Sequence, residues 1–154
     1  MKKIMTLGII QQQKKILLGM KKRGFGMGRW NGFGGKVNEG ETIEGALKRE
    51  MLEECSIVPE DIVKLGVLNF SWNNKDDVCE VHIFKINNFS GIPTESEEMR
   101  PEWFDAKEIP FSQMWQDDIF WMPLFLENRK FRGKFIFDDL DNILEKELSE
   151  VESI

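Results

Sequence analysis

Glu50, Glu53 and Glu54 stand at i, i+3 and i+4, a spacing that sets three carboxylates on one face of a helix. Like charges so close repel one another and oppose folding unless something positive sits among them. Hard divalent cations fit, because Mg²⁺ takes oxygen ligands and commonly joins carboxylates to the phosphates of a substrate. Arg49 is adjacent and able to orient one carboxylate through a charge-assisted pair. A solvated acidic face is the plainer reading of such a cluster taken alone. The glycine pair ahead of it, Gly34-Gly35, shifts the balance, because it lets backbone approach a bound phosphate closely. An ordinary tight turn is the alternative for that pair.

The element that must carry these carboxylates is a helix over Thr42–Cys55, with Ile43, Leu47 and Met51 at i, i+4 and i+8 forming its apolar face. Ahead of it, Ile4–Gln11 and Lys15–Met20 read as strands joined by a turn at Gln12–Lys14. After it come strands over Ile62–Trp72 and Val78–Ile86, separated by the polar turn Asn73–Asp77, and a short strand at Trp103-Phe104. A second helix is expected around Met122–Arg129, with Pro123 in its first turn, where a missing N–H costs little. Arg132–Phe137 and Ile143–Leu148 suit a terminal hairpin. Interleaved strands and helices predict an α/β or α+β class, with helices packed on a mixed sheet.

The chain has 154 residues, the size of one domain, expected to span 1–154. Its hydrophobic fraction of 41%, with 12 Phe and 5 Trp, is that of a folded globular protein rather than a disordered one. A net charge of −6 argues against binding a nucleic-acid polymer but not against a small nucleotide, since metal ions reverse the local charge of an acidic pocket. Cys55 and Cys79 lack metal-ligand spacing and are too few for a disulfide framework, so free thiols in a reducing compartment are expected. No apolar run suits a membrane span, and Met1-Lys2-Lys3-Ile4 leads into a strand rather than a signal peptide. The cytosol is the expected compartment, and a mitochondrial or nuclear share is compatible with it.

Taken together, the acidic segment resembles the Nudix box, G-x5-E-x7-R-E-U-x-E-E-x-G-U with U aliphatic. Gly35, Glu41, Arg49, Glu50, Glu53 and Glu54 fill its fixed positions, and Met51 and Ile57 its aliphatic ones. Ser56 departs from it where the pattern has Gly at the helix end, at a small cost in stability. The resemblance implies the Nudix fold, a mixed sheet sandwiched between helices, in a monomer. It also implies a Mg²⁺-dependent diphosphatase of the MutT type, with Mn²⁺ as a substitute. In that branch water attacks a triphosphate at the β-phosphorus and leaves monophosphate and pyrophosphate. Glu50, Glu53 and Glu54 would hold metal, joined by Glu98 and Gly35. Glu53 or Glu54 would lie close to the attacking water, with Arg49 orienting and Glu41 supporting.

Beyond the box, the runs 17–26, 28–35, 98–101 and 114–118 are similar to the Nudix branch that acts on oxidised purine nucleoside triphosphates. This implies 8-oxo-dGTP and 2-hydroxy-dATP as substrates and a role in keeping the nucleotide pool clean. A different diphosphate-linked substrate is the enzymatic alternative, and a catalytically weak binding module the non-enzymatic one. Trp115 offers a flat surface for a purine, and Phe25, Phe70 and Trp72 supply apolar walls, although aromatics are as often core. Asn31 both donates and accepts, as reading a purine edge requires, and Asn31-Gly32 is also a good turn pair. Asp117 and Asp118, if buried together, favour protonation of one of them; otherwise either suits a helix cap. Lys21 suits the sugar or phosphates, or simply the surface. His82, the only histidine, lies in a strand pattern and reads as structural. Trp72 stands where the branch has Phe and Cys79 where it has Met, so pocket shape is expected to differ.

Overall fold

Alternation along the strands decides the architecture, and the computed structural model, which describes residues 1–154, shows how. In strand β1 (Lys2–Gln12), Ile9 and Ile10 are both fully buried yet belong to two separate cores. In β2 (Lys15–Lys21), Ile16 and Leu18 join the core of Ile9, and Leu17 joins that of Ile10. A strand buried on both faces needs a helix on each. Helix α1 (Ile43–Cys55) supplies Leu47, Met51 and Cys55 to one core; α2 (Asp118–Leu126) supplies Trp121, Met122 and Phe125 to the other. The expected sheet between helices is therefore present.

The remaining strands are β3 (Trp30–Asn31), β4 (Val58–Trp72), β5 (Lys75–Ser90), β6 (Met99–Asp105), β7 (Lys130–Phe137) and β8 (Ile143–Val151). They form one eight-stranded mixed sheet in the order β3-β2-β1-β5-β4-β7-β8, with β6 added alongside β2. β1 runs parallel to β5 and β4 parallel to β7; the β4–β5 and β7–β8 pairs are antiparallel hairpins. No helix is long and apolar enough to cross a membrane.

Three expectations need correction. β4 and β5 are longer than the sequence suggested, because register shifts between Pro59 and Ile62 and between Lys64 and Gly66 break the alternation that marks a strand. β6 runs through Pro101, which is tolerated because this strand pairs only with β2 and leaves one edge open. Helix α2 begins at Asp118 rather than near Met122, so Pro123 lies in its interior and not its first turn. The helix starts early because Asp118 N–H bonds the Trp115 carbonyl and Phe120 N–H the Asp117 carbonyl. The carbonyl that Pro123 leaves without a partner belongs to Ile119, a half-exposed residue that water reaches.

Candidate active site

The carboxylates are set by the ends and faces of α1. Thr42 caps the helix, its hydroxyl oxygen accepting from Gly45 N–H at 3.0 Å. Leu47, Met51, Glu54 and Cys55 share the buried face at helical spacing, so Glu54 is carried inward while Glu53, on the outer side, stays exposed. Glu50 lies between them. The chain at Gly34-Gly35 runs tight against β1, with Thr6 N–H on the Gly35 carbonyl at 2.8 Å. A side chain on Gly34 would collide with the Thr6 carbonyl, and a Cβ on Gly35 would sit 2.7 Å from the Glu50 carboxyl carbon. Only glycine allows this approach, and it lets Gly34 N–H donate to Glu54 Oε1 at 2.9 Å.

Arg49 organises one edge of the cluster. Its Nε and Nη2 donate to both oxygens of Glu41 at 2.7 and 2.9 Å, Nη1 to Glu50 Oε1 at 2.8 Å, and Nη2 to the Lys36 carbonyl at 3.0 Å. This fork, helped by Asn38 N–H, holds the Glu41 carboxyl down at about 2 and raises the Arg49 pKa further. Glu54 goes the other way: burial, with the nearby charge of Glu50, pushes its carboxyl up to about 8 despite the Gly34 bond. Glu98 sits at the start of β6, paired with Lys21 at 3.3 Å and Arg23 at 3.5 Å.

These carboxylates do not converge into a closed cage of three in the metal-free chain, because Glu50 turns to Arg49 and Glu98 to Lys21 and Arg23. The donor chemistry nonetheless suits a hard divalent cation. Glu50, Glu53, Glu54 and Glu98 with the Gly35 carbonyl form an all-oxygen set. The Glu54 carboxyl, pushed up mainly by burial despite the charge of Lys21, is what a nearby cation would ionise.

Beside this edge lies a cavity of about 220 Å³. Lys21, Phe25, Asn31, Gly34, Gly35, Phe70, Trp72, Trp115, Asp117 and Asp118, the residues expected to contact substrate, all line it, and so does Glu54. Glu50, Glu53, Glu98 and Arg49 lie outside its lining. Apolar walls come from Met5, Leu7, Val81, Ile83, Met99 and Phe137, with Cys79 at the position expected to alter the shape. Asn31 ends strand β3 rather than forming a turn with Gly32; its Oδ1 accepts from Gly32 N–H at 2.9 Å, and the amide nitrogen stays without a partner in the chain. Phe70 stacks on Phe135 and Phe137 while reaching the cavity, serving core and wall together.

Asp117 and Asp118 are each 3% exposed. Asp117 stands at the start of α2 but does not cap it; its Oδ2 accepts from the Trp121 indole N–H at 2.8 Å instead. Asp118 Oδ2 is buried with no partner at all. Burial, then the charge of Asp117, raises Asp118 well above the carboxylate range, and burial also raises Asp117. Both shifts favour a proton on the pair, and a shared proton gives the cavity a donor beside an acceptor. His82 bonds Glu80 at 2.8 Å on the opposite side of the sheet, away from the cavity, as its structural reading implied.

At the cavity mouth the expected aromatic walls are joined by Arg29 and Asp141, which sequence reasoning had missed. Phe25, 60% exposed, packs on Trp115 at 5.1 Å and Trp72 at 5.8 Å between ring centres. Arg29 lies 4.2 Å over the Trp115 ring and pairs with Asp141 at 3.2 Å. Asp141 also accepts from the Trp72 indole N–H at 3.0 Å. Aromatic content around residues 25, 30 and 72 was the only sequence signal for such a mouth, and it could not name Arg29, Phe137 or Asp141.

Known proteins fit this geometry. The chain is 51% identical to the oxidized purine nucleoside triphosphate hydrolase of zebrafish (Danio rerio) over 99% of its length and 97% of the relative. The mouse (Mus musculus) protein of that name is also 51% identical, covering 98% of the chain and 97% of the relative. Among solved structures, the MutT protein from Bacillus halodurans superposes with a TM-score of 0.86, at 24% identity, over 96% of this chain and 97% of that one. A NUDIX domain model matches residues 2–125, which include the whole acidic helix, and the chain belongs to the Nudix family.

Proposed function

We propose that this chain hydrolyses oxidised purine nucleoside triphosphates, such as 8-oxo-dGTP and 2-hydroxy-dATP, to the monophosphate and pyrophosphate. The observation that carries the reading is the unpartnered Asp118 Oδ2 beside Asp117, buried in an aromatic cavity that adjoins the acidic helix. A buried polar group without a partner is costly, and a purine edge that supplies one gains the difference. Oxidation of guanine or adenine changes which edge atoms donate and accept. A carboxyl pair that can hold its proton on either member suits both products. The names of the zebrafish and mouse relatives point the same way.

In this reading Trp115 stacks the base, Asn31, Asp117 and Asp118 read its edge, Phe25, Phe70 and Trp72 wall it, and Lys21 attends the sugar or phosphates. Glu50, Glu53 and Glu54, with Glu98 and the Gly35 carbonyl, would hold the divalent cation on which Nudix hydrolysis depends, here Mg²⁺ with Mn²⁺ as a substitute. When bound, the cation neutralises triphosphate charge and lowers the pKa of water. Glu53 or Glu54 accepts the proton of the attacking water, and Gly34 N–H keeps the Glu54 carboxyl aimed. Arg49 fixes Glu50 at 2.8 Å and reaches Glu53 at 3.5 Å, while Glu54 stays outside its grip. The chain works as a monomeric single domain on free nucleotides in the cytosol, consistent with its acidic surface.

Purified protein incubated with 8-oxo-dGTP, 2-hydroxy-dATP and dGTP should release pyrophosphate and monophosphate faster from an oxidised nucleotide than from dGTP. EDTA should abolish the release and excess Mg²⁺ restore it. Equal rates on all three, or none, would move the substrate elsewhere in the family.

A further inference from the structure

The turn between β7 and β8 reaches back over the cavity mouth. Asp138 shapes it: its Oδ1 accepts from Leu140 N–H and Asn142 N–H, both at 2.9 Å. Asp141 then adopts a left-handed backbone, φ 61°, and presents both carboxylate oxygens to the mouth. Oδ2 meets Arg29 Nη2 at 3.2 Å and Oδ1 accepts from Trp72 Nε1 at 3.0 Å. Arg29 spreads over the face of Trp115, and the Trp115 and Phe137 rings pack edge to face 5.7 Å apart. The same turn grips the segment next to Trp115, since Gln116 donates to Asn142 at 2.6 Å and accepts from Ile143 N–H at 2.8 Å.

We propose that Asp141 is a positioning residue for base selection: by holding Arg29 against Trp115 and anchoring the Trp72 indole, it sets two aromatic walls of the pocket before substrate arrives. The inference rests on the substrate reading above and adds the residue that tunes it. Two arguments favour this over simple surface decoration. One carboxylate serves two donors that arrive from different strands and loops, so its removal releases both walls together. Trp72, in place of the family branch's Phe, supplies the N–H that makes the second bond, and that bond ties strand β4 to a turn outside the 2–125 stretch matched by the family model. Pre-set walls lower the cost of ordering the site around a base without touching the carboxylates that cleave phosphate.

The test is a comparison of wild type, Asp141→Ala, Arg29→Gln, Trp72→Phe and the Asp141→Ala/Arg29→Gln double variant on 8-oxo-dGTP, with melting temperatures in parallel. Asp141→Ala should raise KM about tenfold and leave kcat within about twofold, since a wall that binds ground and transition states alike changes KM alone. Trp72→Phe keeps an aromatic wall, smaller than the indole, and loses the anchor, so it should raise KM less. The double variant should be no worse than the poorer single one, because both act through one contact. If Asp141→Ala does not fold, Asp141→Asn decides instead: it keeps an acceptor for Trp72, drops the charge that holds Arg29, and should give an intermediate KM. An unchanged KM, equal losses in kcat and KM, or additive effects of the two substitutions would overturn the role. A wild type inactive on every oxidised nucleotide would instead count against the substrate, and with it against this role.

Discussion

A glutamate 3% exposed beside another glutamate holds its proton far above its normal range. Glu54 does so up to about pH 8, against 4.5 for an ordinary glutamate. Between those values the folded, metal-free chain carries a proton that the unfolded chain has released, so its stability falls as pH rises. Each pH unit inside the window costs about 1.4 kcal/mol. Glu54→Gln has no such proton. In urea unfolding with chelator, wild type should lose about 3 kcal/mol more than Glu54→Gln between about pH 5 and about pH 7.5. Asp118 shifts in the same direction but is present in both proteins, so the difference isolates Glu54. The same variant should lower kcat by about 10²–10⁴-fold, the range for a lost base. Equal pH slopes in the two proteins would show that Glu54 is already ionised in the fold. The fold thus holds this residue at the expense of its own stability, as sites built for a charged ligand do.

At the scale of the helix, the departure from the family pattern has a physical address. Ser56 ends α1 in the left-handed region at φ 63°, with its N–H on the Leu52 carbonyl and Ile57 N–H on that of Met51. Those are the bonds of a glycine-type helix end, made here by a residue with a Cβ. Ser56→Gly should therefore stabilise the chain by about 1 kcal/mol, seen as a higher melting temperature with kcat and KM unchanged. A lower melting temperature would mean that the serine makes a contact worth more than the strain. The helix itself was readable in the sequence because its apolar face and carboxylates depend on spacing within a few turns, although its cap at Thr42 was not. Helix α2 was misplaced because Pro123 suggested a start, while the bonds that begin the helix at Asp118 come from the preceding turn. β4 and β5 were shortened in the reading because bulges are invisible to a period of two.

Across the whole molecule, one sheet separates two cores that share no residue. Ile57, on the α1 side, and Ile16, on the α2 side, are both fully buried. Ile57→Val and Ile16→Val should each cost about 1 kcal/mol, and the double variant should match their sum within about 0.5 kcal/mol. A larger discrepancy in denaturant unfolding would mean that the sheet transmits strain between its faces. The site follows the same division of legibility. Its acidic edge could be read because Gly35 to Glu54 is a single local stretch. Arg29 and Asp141 could not, because the pair that joins them spans 112 residues, and nothing in either neighbourhood names the other. Trp72 could be read as larger than expected, but not as a hydrogen-bond donor to a turn near the far end of the chain. The cavity-lining Phe137 and the Asp141 latch both lie past residue 125, where the match to the family model stops. Part of the cavity wall is thus inherited on a different stretch of the chain from the acidic helix. Drift in the last hairpin alone could give a descendant lineage a new diet while its chemistry passed down untouched.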